Sequence, residues 1–208
     1  MDYFGILLTI AVVQFLGAAS PGPNFMIVTS YAINGSRRLA LLASCGILLA
    51  TLTWALLAAT SVGVVMLRMP YVYQALQLAG ALYLIWFGGK LLIGALRENS
   101  AVKQGANKQP HSGMLALRAG YTTSMTNPKS LAYYTSIFAV VMPKDSPDWL
   151  LAAAVSTAIL VSAAWWASVA IFLTVPPIRS YYERAQRGIN AVMGGLLVCL
   201  GLRLALTR

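Results

Sequence analysis

Lys129 is a cation in a stretch that otherwise suits lipid. It follows directly on Asn127-Pro128 and lies near the middle of the apolar run from Ala119 to Val140. A charge at that depth costs at least ~2.5–3.5 kcal/mol on insertion scales, so an ionisable residue held there points to a ligand, an ion or a proton. The five acidic residues, Asp2, Glu98, Asp145, Asp148 and Glu183, all fall at the terminus or between apolar runs. No carboxylate is therefore expected at the depth of Lys129, and an anionic ligand group would supply the missing charge. The competing reading is a lysine nearer the interface that snorkels to water.

A second interruption supplies complementary chemistry. Ser20-Pro21-Gly22-Pro23 breaks a run that is apolar from Phe4 to Ile33. Two prolines and a glycine in four residues remove backbone donors and end the helical ladder. In hydrocarbon such a break is tolerated only where the freed groups face protein or a water-filled cavity. Residues after Pro23 and Pro128 begin new half-helices, whose N-termini attract anions. Residues before the breaks leave free carbonyls, which suit an ammonium. A zwitterionic amino acid fits both: its carboxylate on Lys129 and a half-helix start, its ammonium on unwound carbonyls and the amide oxygens of Gln14, Asn24 or Asn127. Helix capping alone would also account for Asn24 and Asn127. The aromatics Trp54, Trp86, Trp165, Trp166, Tyr31, Tyr133 and Tyr134 read first as packing or interface anchors.

These residues need a membrane-spanning frame, and the composition provides one. The 208 residues are 59% hydrophobic and 10% charged, far too few charges to cover a soluble surface. Six apolar segments, near 4–33, 39–67, 71–96, 114–142, 149–175 and 188–206, are each long enough for a helix across the bilayer. The first and fourth are too long for one straight crossing and contain the breaks. The net charge of +10 lies in short connections, as topology requires, and does not indicate nucleic acid. Connections after segments one, three and five carry nine Lys and Arg against four on the other side, which places both termini outside; a broken segment that re-enters instead of crossing would give five spans and move one terminus inside. Ala18-Ala19-Ser20 imitates a cleavage site, but Met1-Asp2-Tyr3 has no basic region and Pro21 would follow the cut. Cys45 and Cys199 read as small buried hydrophobes.

The segments divide three and three, into residues 1–96 and 114–208, around a polar linker at 97–113 that contains His111. Three is odd, so the second half must be inverted relative to the first. Setting Pro23 on Pro128 aligns the breaks; setting Gly88 on Gly201 puts Lys90 on Arg203 and Ala81 on Gly194. The expected fold is all-α: six transmembrane helices in two inverted three-helix repeats, with helices one and four broken. Paired interruptions of this kind point to a transporter's binding site.

Ser20-Pro21-Gly22-Pro23, Asn127-Pro128-Lys129 and Tyr83-Leu84-Ile85-Trp86-Phe87-Gly88 together resemble the lysine-exporter (LysE) superfamily. The chain is most similar to its homoserine/threonine resistance (RhtB) branch, closest to the threonine exporters, and Val175-Pro176-Pro177-Ile178-Arg179 fits the same branch. The resemblance spans essentially the whole chain. It implies multi-pass proteins of the bacterial inner membrane that export amino acids by proton antiport. It draws attention to Pro21, Gly22, Pro23, Asn127, Pro128 and Lys129. Threonine exporters of this type can carry aspartate after Pro-Gly-Pro, where this chain has Asn24.

The expectation is an exporter of small neutral amino acids such as threonine or homoserine. Its partners are the substrate, protons and lipid, and a homo-oligomer is compatible with the sequence. With no buried carboxylate or histidine, Lys129 itself is the candidate proton carrier. Export of another amino acid class or derivative is the alternative. A metal cation is a further one, but metal export would need clustered thiolate, imidazole or carboxylate ligands. No cofactor, resident metal or enzymatic motif such as HExxH or GxSxG is expected.

Overall fold

The computed structural model describes residues 3–20, 22–33, 36–68, 70–96, 112–141 and 146–206. Pro21, the terminal residues and most of the polar linker, including His111, lie outside them. All regular structure among the described residues is helical: α1 (Tyr3–Ala19), α2 (Pro23–Ile33), α3 (Arg37–Arg68), α4 (Pro70–Leu96), α5 (Gly113–Met125), α6 (Pro128–Val141), α7 (Asp148–Phe172) and α8 (Pro176–Leu206). Four of these, α2, α4, α6 and α8, begin on proline, whose fixed φ and missing N–H suit the first helical position.

Both expected breaks are helix ends. α1 stops at Ala19 and α2 starts at Pro23, with a 60° bend between them; α5 stops at Met125 and α6 starts at Pro128. Within α3, α4 and α7, the stretches Arg37–Thr60, Leu78–Leu96 and Trp149–Phe172 are long and apolar enough to cross a membrane, and the bent pair α1 and α2 gives a fourth candidate span. α8 starts twelve residues before the expected 188, because the connection after segment five is helical rather than a loop. Cys45 and Cys199 correct another expectation: both thiols are exposed on outward helix faces, not buried.

Small residues set the packing. A Cβ at Gly46 would stand 2.0 Å from the Leu117 carbonyl oxygen, and one at Gly120 2.0 Å from that of Ala43, so α3 and α5 touch backbone to backbone. α4 and α8 run antiparallel in similarly close contact. A Cβ at Gly88 would lie 2.6 Å from the Gly194 oxygen and 2.9 Å from Val198 N, while one at Gly201 would lie 2.9 Å from the Ala81 oxygen and 3.1 Å from Ile85 N. Such approaches replace the hydrophobic drive that lipid does not provide. α1 lies alongside α7 in parallel: Tyr3 meets Trp149, Gln14 meets Ser162 and Phe15 meets Trp165.

Two apolar cores result. One gathers Val13, Leu84, Tyr133, Phe138, Leu150 and Leu197; the other gathers Phe25, Val28, Tyr31, Ala43, Ile47 and Val169. Buried Gln14, Ser20, Ser124, Asn127 and Ser162 lie among them, and both helix breaks open there.

Candidate functional site

The site is assembled from the two breaks. Asn127 is buried and caps α6: its Oδ1 accepts the backbone N–H of Lys129 at 3.0 Å, and its carbonyl accepts that of Ser130 at 2.9 Å. The cap fixes the first turn of α6 and aims Lys129 across the molecule at the end of α1. There its ammonium donates to the Gly17 carbonyl at 3.1 Å, to the Ser20 carbonyl at 3.5 Å and to Ser20 Oγ. Ser20 Oγ in turn donates to Gly17 O at 3.1 Å. The Phe87 ring lies 4.8 Å from Lys129 Nζ, a cation–π contact on the side facing α4. Tyr83 donates its hydroxyl to the Lys129 carbonyl at 3.3 Å.

Lys129 is thus solvated by the oxygens that the α1 break sets free. These partners are neutral, and none of the described residues lining the adjoining cavities is acidic. Gly17 is required for this arrangement, since a Cβ there would stand 2.8 Å from the Tyr133 ring. A Cβ at Gly22 would come within 3.9 Å of Lys129 Nζ, so the ammonium also stands beside the start of α2. An anion bound here would meet the cation and a helix N-terminus together.

The other break mirrors this crossing. Asn24, the second residue of α2, sends Nδ2 to Ser124 Oγ at 3.2 Å, in the last turn of α5. Each residue that follows a break proline therefore reaches the end of the opposing broken helix. Asn24 Oδ1 is buried without a hydrogen-bond partner, as is the Tyr133 hydroxyl. An unsatisfied buried acceptor costs about 1–3 kcal/mol, which a ligand N–H would recover.

The structure brings Gln14, Gly22, Asn24, Asn127 and Lys129 to one small polar cavity of about 40 Å³. That volume holds a few waters and no amino acid, so the cavity stands contracted. Gln14 is tied elsewhere: its amide donates to Tyr134 Oη at 3.0 Å and Ser162 Oγ at 2.6 Å, and Tyr134 donates to Thr51 Oγ1 at 3.2 Å. This network clamps α1 to α3, α6 and α7. Gln14→Leu is expected to cost about 1–3 kcal/mol of stability, because it removes a donor from each of two buried hydroxyls, Tyr134 and Ser162. Thermal unfolding in detergent, with substrate affinity compared in the same preparation, checks whether stability is the larger loss. Pro23 lines a second, larger cavity on the far side of Lys129; Pro128 acts through the backbone, as the first residue of α6.

Sequence reasoning missed Gly17, Ser20, Ser124, Tyr133, Tyr134 and Ser162 as site residues. Ser20 was visible beside the prolines. The others are ordinary small or aromatic residues whose roles depend on contacts a hundred or more positions away.

The chain is similar to known proteins over nearly its whole length. The family pattern "LysE type translocator" matches residues 15–208. The threonine efflux protein of Salmonella typhi is 29% identical over 211 residues, covering 98% of each chain. That of Escherichia coli (strain K12) is 27% identical over 206 residues, again covering 98% of each. The leucine efflux protein of Enterobacter sp. (strain 638) is 33% identical over 138 residues, 65% of this chain and 64% of its own. No solved structure matches the chain. On a match running nearly from end to end, the chain belongs to the LysE type translocators, a family of membrane translocators rather than enzymes.

Proposed function

We propose that the protein is a secondary exporter of small neutral amino acids, with threonine and homoserine its first candidates, working by proton antiport in the bacterial inner membrane. The observation that carries this reading is the meeting of Lys129 with both helix breaks beside the unpaired Asn24 Oδ1. The substrate carboxylate takes Lys129 Nζ in exchange for the Gly17 and Ser20 oxygens. The substrate ammonium meets Asn24 Oδ1, a buried acceptor left open, since the Asn127 oxygen is spent on the α6 cap and the Gln14 NH2 group holds that side chain against Tyr134 and Ser162. A second positive charge on the substrate would find no carboxylate in the lining, which disfavours lysine-like cargo.

The exchange links binding to movement. While Lys129 holds the end of α1, the cavity stays contracted. Once a carboxylate competes for the ammonium, that hold loosens and the α1 break is free to rearrange. Lys129, the one cation among the described residues lining the small cavity, is the candidate proton carrier for antiport.

The architecture assigned is six crossings in two inverted three-helix halves, α1–α4 and α5–α8, with both termini outside. Three contacts support it. Under the equivalence of Gly88 with Gly201, the pair Gly88–Gly194 maps onto Gly201–Ala81, and Gly88–Val198 onto Gly201–Ile85. Parallel pairing of α1 with α7 maps in the same way onto that of α5 with α3. The crossing of Lys129 to α1 maps onto that of Asn24 to α5.

The reading is tested in proteoliposomes with an imposed pH gradient and a panel of amino acids. Gradient-driven movement of chemically unchanged threonine supports it; a panel in which no amino acid moves rejects it. Asn24→Ala is expected to raise the threonine KM about tenfold through loss of the ammonium acceptor, with kcat less affected. Initial-rate kinetics in the same vesicles measure both.

A further inference from the structure

Lys129 has a second cavity on its other side. It is about 570 Å³, lies among α2, α4, α6 and α8, and shares Gly22 and Lys129 with the small polar cavity. The two spaces therefore meet at the ammonium. Their linings differ sharply. The small one offers Asn24, Ser124, Asn127 and Ser162; the large one offers the rings of Tyr83, Trp86 and Phe87 with Leu91 and Pro23. Tyr83 stacks on Phe87 with 6.0 Å between ring centroids and 3° between planes, so this wall is a continuous apolar surface. Lys90 and Asn190 also line it, and the Lys90 ammonium stands 5.0 Å from the Trp86 ring.

The geometry points to a side-chain subsite: this cavity receives the side chain of a bulky apolar amino acid whose carboxylate is on Lys129. The inference rests on the export reading above and deepens it by naming a further substrate class. An α-amino acid whose carboxylate sits at the junction can send its ammonium into the polar space and its side chain along Phe87 and Leu91. Threonine fills little of a cavity in the range that encloses whole small-molecule ligands. A branched aliphatic or aromatic side chain buries more surface there, at roughly 25 cal/mol per Å² of apolar area. Neutral amino acids from valine to phenylalanine are therefore substrates together with threonine, and discrimination among them is shallow, since one methylene in an apolar pocket is worth only about 10–200-fold.

The test uses purified full-length protein in proteoliposomes, with transport of labelled L-threonine challenged by unlabelled L-valine, L-leucine and L-phenylalanine. The expected result is competition by leucine within about tenfold of threonine's own concentration, and uptake of labelled leucine in its own right. Threonine transport that leucine, valine and phenylalanine neither inhibit nor share overturns the subsite and leaves the export reading standing. Transport of none of the four amino acids overturns both. Gly94 provides a second arm, because it lines the cavity and a Cβ there meets nothing within 4 Å. Gly94→Phe should lower the leucine-to-threonine transport ratio about tenfold by occupying the space. A ratio within twofold of wild type, as expected if lipid fills the cavity, rejects the proposal.

Discussion

Lys129→Gln is expected to reduce amino acid export at least ~100-fold, a loss of about 2.7 kcal/mol in transition-state stabilisation. Glutamine keeps hydrogen-bonding capacity but has no charge, and truncating one member of a buried charge contact costs about 2–5 kcal/mol. The effect should be carried by the substrate, since the resting partners of Lys129 are neutral oxygens of Gly17 and Ser20 that water can satisfy. Folding and insertion of the variant should accordingly remain near wild type. Lys129→Arg keeps the charge but broadens it into a planar fork that does not fit three acceptor oxygens converging on one nitrogen, so partial export is expected. Initial rates in vesicles with an imposed pH gradient measure both variants. Undiminished gradient-driven export by both would remove Lys129 from substrate binding and from proton coupling.

The largest expected effect on stability lies at the α3–α5 crossing. Gly120→Ala would place a methyl group 2.0 Å from the Ala43 oxygen, against backbone that cannot rotate away. Restoring normal contact requires the two helices to separate by more than an ångström along a seam that also supports Gly46 against Leu117. Overpacking of this severity costs about 3 kcal/mol. It should appear as a sharp drop in the temperature at which the detergent-solubilised protein loses its monodisperse peak. Gly89→Ala is the control: a Cβ there meets nothing within 4 Å, and the change is expected to stay within ~0.5 kcal/mol of wild type. Equal behaviour of the two variants would mean that α3 and α5 are not in backbone contact.

Several of these features were legible in the sequence because they depend on local covalent chemistry. Proline cannot continue a helix, so the ends of α1 and α5 followed from Pro21, Pro23 and Pro128 to within a few residues. A lysine in a long apolar run must find partners wherever the fold places it, so Lys129 stood out before any contact was known. The glycine register was legible too, since Gly88, Gly194 and Gly201 are spaced so that α4 and α8 can close on each other.

The identity of the partners was not legible. Nothing near Lys129 in the chain indicates that Gly17 and Ser20, 109 or more positions away, supply its acceptors. The carbonyls expected to receive a ligand ammonium hold that of Lys129 instead, which leaves Asn24 Oδ1 as the acceptor proposed for the ligand. Gln14 was a candidate by its amide oxygen, yet its NH2 group ties it to Tyr134 and Ser162 as a clamp between helices. The start of α8 was misplaced because Arg179, Arg184 and Arg187 read as a loop by charge, although arginine is a good helix former. Cys45 and Cys199 were misjudged because an apolar span has an outward face as apolar as its inward one, so hydropathy does not separate packed from lipid-facing positions.

Equilibrium binding of L-threonine and of L-threonine amide, at a pH where both carry the ammonium, to the purified wild-type protein tests the role of Lys129 most directly. Replacing the carboxylate by an amide removes the group assigned to Lys129 Nζ and leaves the ammonium and side chain intact. Affinity for the carboxamide should be weaker at least ~30-fold, about 2 kcal/mol for a charge-assisted contact, and the Lys129→Gln protein should no longer distinguish the two ligands. Equal affinity of the wild-type protein for the acid and the amide would contradict a substrate carboxylate on Lys129.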